Sequence, residues 1–204
     1  MKKLDKRVVT PFLDRLQVIY AAMDRKYIKA AAHYNFNCTD CKDICCQTRF
    51  YHHTHIEYHF ILEGFKTLDP EKKREIKSRA LKVCRKSAEL NQKGNPVRCM
   101  CPLNFDRLCV LYPFRPMICR LHGIPHELQK SAGNRIYAPG CGTFDNTCSE
   151  KSYFKFDRTP FYLEMADVEN EFKQTAGITG RIKLTIAEML SGLKLGAESE
   201  GLNK

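Results

Sequence analysis

No apolar run in the 204-residue sequence approaches the roughly 18–20 residues that a membrane-spanning helix needs, so no transmembrane segment is expected. The first ten residues carry positive charge, but no apolar stretch follows them, and a secretory signal peptide is not expected either. Tryptophan is absent. There is no internal repeat, and no alternation of apolar and polar residues long enough to predict a β-sheet. The sequence also lacks a Gly-rich phosphate loop, a SAM-type motif and a recognisable pairing of nucleophile with base. These absences leave the common signatures of catalysis unfilled.

What the sequence has in excess is cysteine. Eleven thiols in a chain with no export signal point to metal or redox chemistry, because disulfides are rare in reducing compartments. The number is odd, so complete disulfide pairing would leave one thiol over. A cytoplasmic location is expected on the same ground. Four thiols, Cys38, Cys41, Cys45 and Cys46, fall within nine residues. Cys38-x2-Cys41 has the spacing of a metal knuckle, in which two sulfurs from one turn face one ion. Cys45 and Cys46 are adjacent, and neighbouring side chains point in different directions. A vicinal pair therefore suits two metals or a polynuclear centre better than one tetrahedral ion.

The rest of the chain reads as a helical scaffold around this chemistry. Hydrophobic content is 43%, enough for one core, and residues 1–204 are expected to form a single, mostly α domain. Thr10-Pro11 resembles an N-cap followed by proline at the first helical position. Phe12, Leu16, Ile19, Met23 and Tyr27 then recur at helical spacing, which predicts a helix over 10–33. A second helix is expected over 50–65. A third begins at Asp69-Pro70, burying Ile76, Ala80, Val83, Cys84 and Ser87. A fourth opens at Thr159-Pro160, and a capping box at Thr185 and Glu188 starts a last one within 160–194. Residues 94–150 differ: they hold six of the nine prolines, five of the eleven glycines and six of the eleven cysteines. Loops and short helical turns are expected there, ordered by bound metal rather than by apolar burial alone. The metal-binding region would thus span 38–148.

Within that region, Tyr112-Pro113-Phe114-Arg115-Pro116-Met117-Ile118-Cys119-Arg120 sets two prolines and two arginines against one thiol. The prolines pre-set φ. Arg115 and Arg120 are candidate cofactor-binding residues, able to offer charge-assisted hydrogen bonds to thiolate sulfur. The pattern Cys38-x2-Cys41-x3-Cys45-Cys46, then Cys101-Pro102-Leu103, then Cys109-x2-Tyr112-x2-Arg115-Pro116-x2-Cys119-Arg120, resembles the YkgJ-type cysteine-cluster family. The family usually has two residues, not three, before the vicinal pair. The resemblance covers about residues 38–141 and implies a zinc- or iron-chelating protein. The ligands it implies are Cys38, Cys41, Cys45, Cys46, Cys101, Cys109, Cys119 and Cys141. Some members form part of flagellin lysine N-methylases, so the resemblance also leaves an iron–sulfur enzyme open.

Both zinc and iron–sulfur clusters accept four thiolates, so spacing does not separate them. Iron, as a cluster or polynuclear centre, is favoured here, since a structural zinc site needs neither vicinal cysteines nor so many ligands. Cys84 is expected to pack as a small hydrophobe. Cys99 competes with Cys101 for one ligand position, and Cys148 is open between ligand and thiol. His52, His55 and His59 share a helical face at i, i+3 and i+7 and are read first as hydrogen-bonded polar residues, with a metal or proton role second. His122 and His126 are read the same way. The formal net charge is +11, of which residues 66–93 supply +6, from ten Lys or Arg against four Asp or Glu. Eight thiolates with two divalent ions would lower it by about four and leave the protein basic. The basic helix 70–91 is read mainly as a solvated face. It could also attract an acidic partner or, without any supporting motif, nucleic acid. In that last case the metals would only staple a basic interaction module.

Overall fold

A computed structural model describes residues 4–37, 45–130 and 133–192. The protein is mostly α. Seven α-helices are present among the described residues: α1 (Lys6–Tyr34), α2 (His55–Thr67), α3 (Pro70–Gln92), α4 (Met117–Leu121), α5 (Gly142–Cys148), α6 (Thr159–Ala176) and α7 (Ile186–Leu190). Two antiparallel hairpins interrupt them, β1 (Asn104–Phe105) with β2 (Leu108–Cys109) and β3 (His126–Gln129) with β4 (Arg135–Ala138). Among the described residues no helix is long and apolar enough to cross a membrane.

Two apolar clusters hold the chain. The first joins Leu16, Tyr20 and Met23 of α1 to Ile56 and Phe60 of α2 and to Met165, Val168 and Phe172 of α6. The second joins Ile61 and Phe65 of α2 to Ile76 and Ala80 of α3 and to Met189 and Leu190 of α7. Consecutive residues of α2, Phe60 and Ile61, thus face opposite cores. Phe114 packs against both clusters and stacks on Phe60 at 5.1 Å. It lies so close to α2 that a Cβ at Gly64 would stand 2.4 Å from its ring, so only glycine permits this approach.

The helices start differently from their sequence signals. α1 begins at Lys6, one turn before Thr10-Pro11. Asp5 caps it by accepting from the Arg7 N–H at 2.8 Å, and buried Val9 draws the first turn onto the core. Pro11 therefore lies inside the helix. Its missing N–H leaves the Arg7 carbonyl without a helical partner, but both residues are exposed and water can serve. α2 begins at His55 rather than at residue 50, because the backbone of His52 pairs with Leu184 in a bridge (2.8 and 2.9 Å). Asp69 caps α3 with Pro70 behind it as expected, and the Thr185–Glu188 capping box is formed in both directions. α6 opens at Thr159 and closes on Gly177 at φ 64°. The segment 94–150 contains both hairpins, whose strands of two and four residues are too short to show an alternation of apolar and polar residues.

Distant buried carboxylates finish two helix N-termini. Glu169 of α6 accepts from the His55 and Ile56 N–H groups (2.9 and 3.0 Å) and contacts His55 Nδ1 (2.8 Å). Glu57, 4% exposed, accepts from Tyr20 Oη at 2.9 Å, from Thr54 Oγ1 at 2.8 Å and from the Met117 N–H that opens α4 at 2.8 Å. Each places negative charge where unpaired N–H groups and the helix dipole favour it. Arg158 is also buried, donates to the Leu121 and Ile124 carbonyls, and is pulled down to about 10 by loss of hydration.

Replacing Glu57 by Ala leaves the Met117 N–H and the Tyr20 hydroxyl without acceptors. A loss of about 2–3 kcal/mol is expected, read from the urea midpoint at constant m-value. An unchanged midpoint would remove Glu57 from this role.

The protein is also expected to weaken in mild acid. Burial, assisted by neighbouring cationic charge, holds His59 and His126 at about 4. The unfolded chain takes up these protons near the ordinary value of about 6.5. The contribution is complete above that value and is lost as pH falls towards 4. Denaturant midpoints across this window should fall with pH, and His59→Phe should flatten the fall.

Candidate metal centre

The described thiols are brought together by backbone hydrogen bonds. Cys45–Gln47 is a single 3₁₀ turn, closed by the Thr48 N–H on the Cys45 carbonyl at 2.9 Å. The Cys101 N–H then donates to the Cys46 carbonyl at 2.9 Å, tying the two cysteine segments to each other. A few residues on, Asn104 pairs with Cys109 across β1 and β2. The hairpin turn is Asp106-Arg107, with φ values of 48° and 69° as the mirror-image turns require. On α3, Arg79 donates to the Asn104 carbonyl at 2.5 Å, and Lys72 and Arg79 lie over the Phe105 ring at 3.8 and 4.0 Å. Part of the basic helix therefore fixes the hairpin, while Arg74, Lys77, Lys82, Arg85 and Lys86 remain exposed.

Cys119 enters on α4. The preceding turn, Tyr112–Phe114, drops Phe114 between the cores, and Glu57 receives the first N–H of α4. Arg120, 7% exposed, locks the loop from behind. It donates to Asp24 of α1 (2.6 Å) and to the carbonyls of Arg115 (2.7 Å) and Pro113, with its guanidinium over the Tyr20 ring. These bonds go to carboxylate and backbone rather than to sulfur. Arg115 stacks on Tyr112 at 3.6 Å, donates to the Tyr112 carbonyl, and its charge lowers Cys46, Cys109 and Cys119.

Cys46, Cys101, Cys109 and Cys119 act on one another electrostatically. Loss of hydration pushes Cys101 up to about 12 and raises Cys109 and Cys119, each reinforced by the neighbouring thiols. The residues themselves keep part of their surface, so this crowding is felt at the sulfur atoms. Cys46 goes the other way, to about 6. A hydrogen bond from Cys45 is the main cause, and burial opposes it; the Asn104 amide and the Arg115 charge help to lower it. Asn104 is 5% exposed and its Nδ2 has no partner at full hydrogen-bonding geometry, although it acts on the Cys46 sulfur. A buried amide donor thus faces the Cys46 sulfur without a well-formed bond.

The other implied ligands stand as follows. Cys38 and Cys41 lie outside the described residues. Cys45 is exposed. Cys141 packs against the first core at the start of α5, and its N–H donates to the Gly123 carbonyl at 3.0 Å. Phe36, just before the segment 38–44, lies against Phe144 of α5 (5.3 Å) and beside Gly123. The described flanks of that segment are thus next to Cys141 on one side and Cys101 on the other. Cys84 packs on the second core, Cys99 is half-buried beside Cys101, and Cys148 is buried with its Sγ 3.5 Å from the Tyr34 carbonyl. Of the three histidines expected on one helical face, His55 meets Glu169 and His59 meets Phe172 of α6, but His52 lies before α2 and its backbone pairs with Leu184, so the three do not share a helix; His122 meets Phe50 at 5.1 Å.

Among the described residues no three His, Cys, Asp or Glu side chains come together closely enough to hold a metal ion. The donor chemistry nonetheless fits a soft metal: four neighbouring sulfurs, one of them a thiolate at neutral pH, and a buried amide donor unsatisfied by protein. Sequence reasoning missed Asn104, Glu57, Tyr20 and Glu169. Glu57 could have been found from Thr54-x-x-Glu57, a capping-box spacing whose Thr54 caps α2; the other three carry no motif, and the hint at Asn104 was its place directly after the Cys-Pro-Leu tripeptide.

No family model matches the chain, no curated protein matches it, and no solved structure matches it.

Cys46 should react first with an alkylating probe. Modification of the metal-free protein by iodoacetamide is expected to show a rate midpoint near pH 6 at Cys46, by peptide mapping, with Cys101 and Cys119 protected. A midpoint at the ordinary thiol value would contradict the assigned environment.

Proposed function

We propose that this chain is a metal-binding protein that holds iron, as an iron–sulfur cluster or a polynuclear iron centre, through thiolates, and that it serves metal handling or electron transfer. The observation that carries this reading is that Cys46, Cys101, Cys109 and Cys119 lie near enough to act on one another's charge, with the buried Asn104 amide acting on Cys46. Zinc is the competing occupant of the same donor set. Cys46, Cys101, Cys109 and Cys119 would be ligands, with Cys38, Cys41 and Cys141 joining by resemblance to the YkgJ-type pattern. Bound iron would supply one-electron chemistry or a transferable ion. The protein's part is to present the sulfurs and to exclude water from Cys101 and Cys119. Arg115 and Asn104 would stabilise the negative charge of the thiolate set. Such thiolate chemistry belongs in a reducing compartment, and the cytoplasm is the location we assign.

The sulfurs must draw closer than they stand among the described residues. Metal binding would therefore be coupled to ordering, and removal of metal should loosen the 94–150 segment. The test is anaerobic purification followed by metal analysis and a visible spectrum. Iron with thiolate-to-metal absorption is expected, with metal content more than halved in Cys46→Ser and Cys119→Ser and retained in Cys84→Ser. Full metal content in the first two variants would refute the ligand assignment. A colourless protein with stoichiometric zinc would replace iron.

A further inference from the structure

The vicinal cysteines differ in one respect that resemblance does not capture: Cys45 is exposed, while Cys46, whose sulfur takes a hydrogen bond from Cys45, is half-buried. Among the described cysteines only Cys45 is exposed; the others are half-buried or buried. The cause is local. Cys45–Gln47 is a 3₁₀ turn, whose three residues per turn set successive side chains about 120° apart. The Cys101 N–H holds the Cys46 carbonyl at 2.9 Å, and the Asn104 amide, itself 95% buried by its 5% exposure and unpartnered, is directed at the Cys46 sulfur. Cys46 is thus held from inside, and Cys45 keeps its exposure with its thiol within hydrogen-bond reach of the Cys46 sulfur. Exposed Tyr112 (57%) carries the stacked Arg115 guanidinium, whose charge reaches Cys46.

We propose that Cys45 is not a resident ligand but a gateway thiol, the first sulfur to engage an arriving metal ion and the last to release a departing one. The inference rests on the metal-binding reading above and assigns a different role to one of the residues that resemblance counts as a ligand. The exchange is associative and involves no change of oxidation state. Cys45 gives its proton to solvent as its sulfur bonds the ion and a ligand of the donor, water or a carrier thiolate, departs. Cys46 then bonds the ion as the Cys45–metal bond breaks, and Cys45 takes a proton back from solvent. Adjacency in one turn keeps the two sulfurs near each other throughout, so the ion need not be released into water between them.

The experiment is stopped-flow uptake of Co²⁺ alone by the full metal-free chain, followed by thiolate-to-cobalt absorption, with release driven by excess EDTA. Cys45→Ser and Cys45→Ala are compared with wild type and Cys46→Ser, with circular dichroism as the check on folding. Uptake and release about tenfold slower in both Cys45 variants, with the same final absorbance as wild type, is the expected result. Unchanged rates in either folded Cys45 variant would overturn the gateway role and leave the metal-binding reading in place. A final absorbance reduced as in Cys46→Ser would also overturn it, by making Cys45 a resident ligand. No cobalt uptake by wild type would sink the metal-binding reading, and the gateway with it.

Discussion

Glu57 stands where α1, α2 and α4 meet, and its carboxylate takes hydrogen bonds from one group on each of the two neighbouring helices and from its own N-cap. The arrangement of the thiols follows from it. α4 is only five residues long, too short to persist without tertiary support, so its start must be held from outside. Glu57 holds it at the Met117 N–H, two residues before Cys119. Arg120 then fixes the following residue to Asp24 of α1. The loop between Cys109 and Cys119 is thus clamped at its far end by a carboxylate and a guanidinium that never touch sulfur. Phe114, seated against Gly64, wedges its middle between the two cores.

The electrostatics of the site oppose one another. Burial of Cys101 and Cys119 favours the neutral thiol, and each neighbouring sulfur makes deprotonation harder still. Arg115 is a single positive charge shared by three thiols, and it does not reverse the shift at Cys109 or Cys119. Cys46 is lowered chiefly by the hydrogen bond from Cys45, with the Asn104 amide and the Arg115 charge assisting. A set of four thiolates in this place would carry more negative charge than the protein's own donors can balance. A divalent ion or a cluster would supply what is missing, since a coordinated thiol is deprotonated outright.

Much of the scaffold was legible because its signals are local. Asp69-Pro70, the Thr185–Glu188 box and Gly177 act over three or four residues, and each does so in the structure. The failures come from tertiary override. Thr10-Pro11 has the right chemistry for a helix start, but Val9 has a core to enter, and its burial outweighs a capping preference of about 1 kcal/mol. Residues 50–54 continue the polar and aromatic composition of α2, yet His52 is drawn into a bridge with Leu184, more than a hundred residues away. The β1–β2 turn escaped because Asp106-Arg107 lacks the glycine that usually marks positive φ. Asp24 lies off the apolar stripe of α1, and nothing local to it marks it as the partner of Arg120. The thiol pattern named where chemistry gathers, but nothing in the spacing of cysteines indicates that Asn104 would face Cys46.

The two arginines of the Arg-Pro-x2-Cys-Arg stretch show why a motif can be read correctly in kind and still be divided wrongly between its members. Read as sequence, Arg115 and Arg120 are equivalent cations beside a thiol. In the fold their surroundings differ. Arg120 is buried, and its donors are taken by Asp24 and two carbonyls, so its work is to fix geometry. Arg115 keeps exposed surface, stacks on an exposed ring, and is the cation whose field reaches Cys46, Cys109 and Cys119. Substitution at Arg120 should therefore act through folding and at Arg115 through the acidity of the thiols, two effects that stability and alkylation rate separate. A lysine at 115 would keep the charge but lose the planar stack on Tyr112, which sets the guanidinium's place relative to sulfur. The positive charge alone is not enough; its position is held by a tyrosine face and a carbonyl, and those in turn by the wedge of Phe114 against α2.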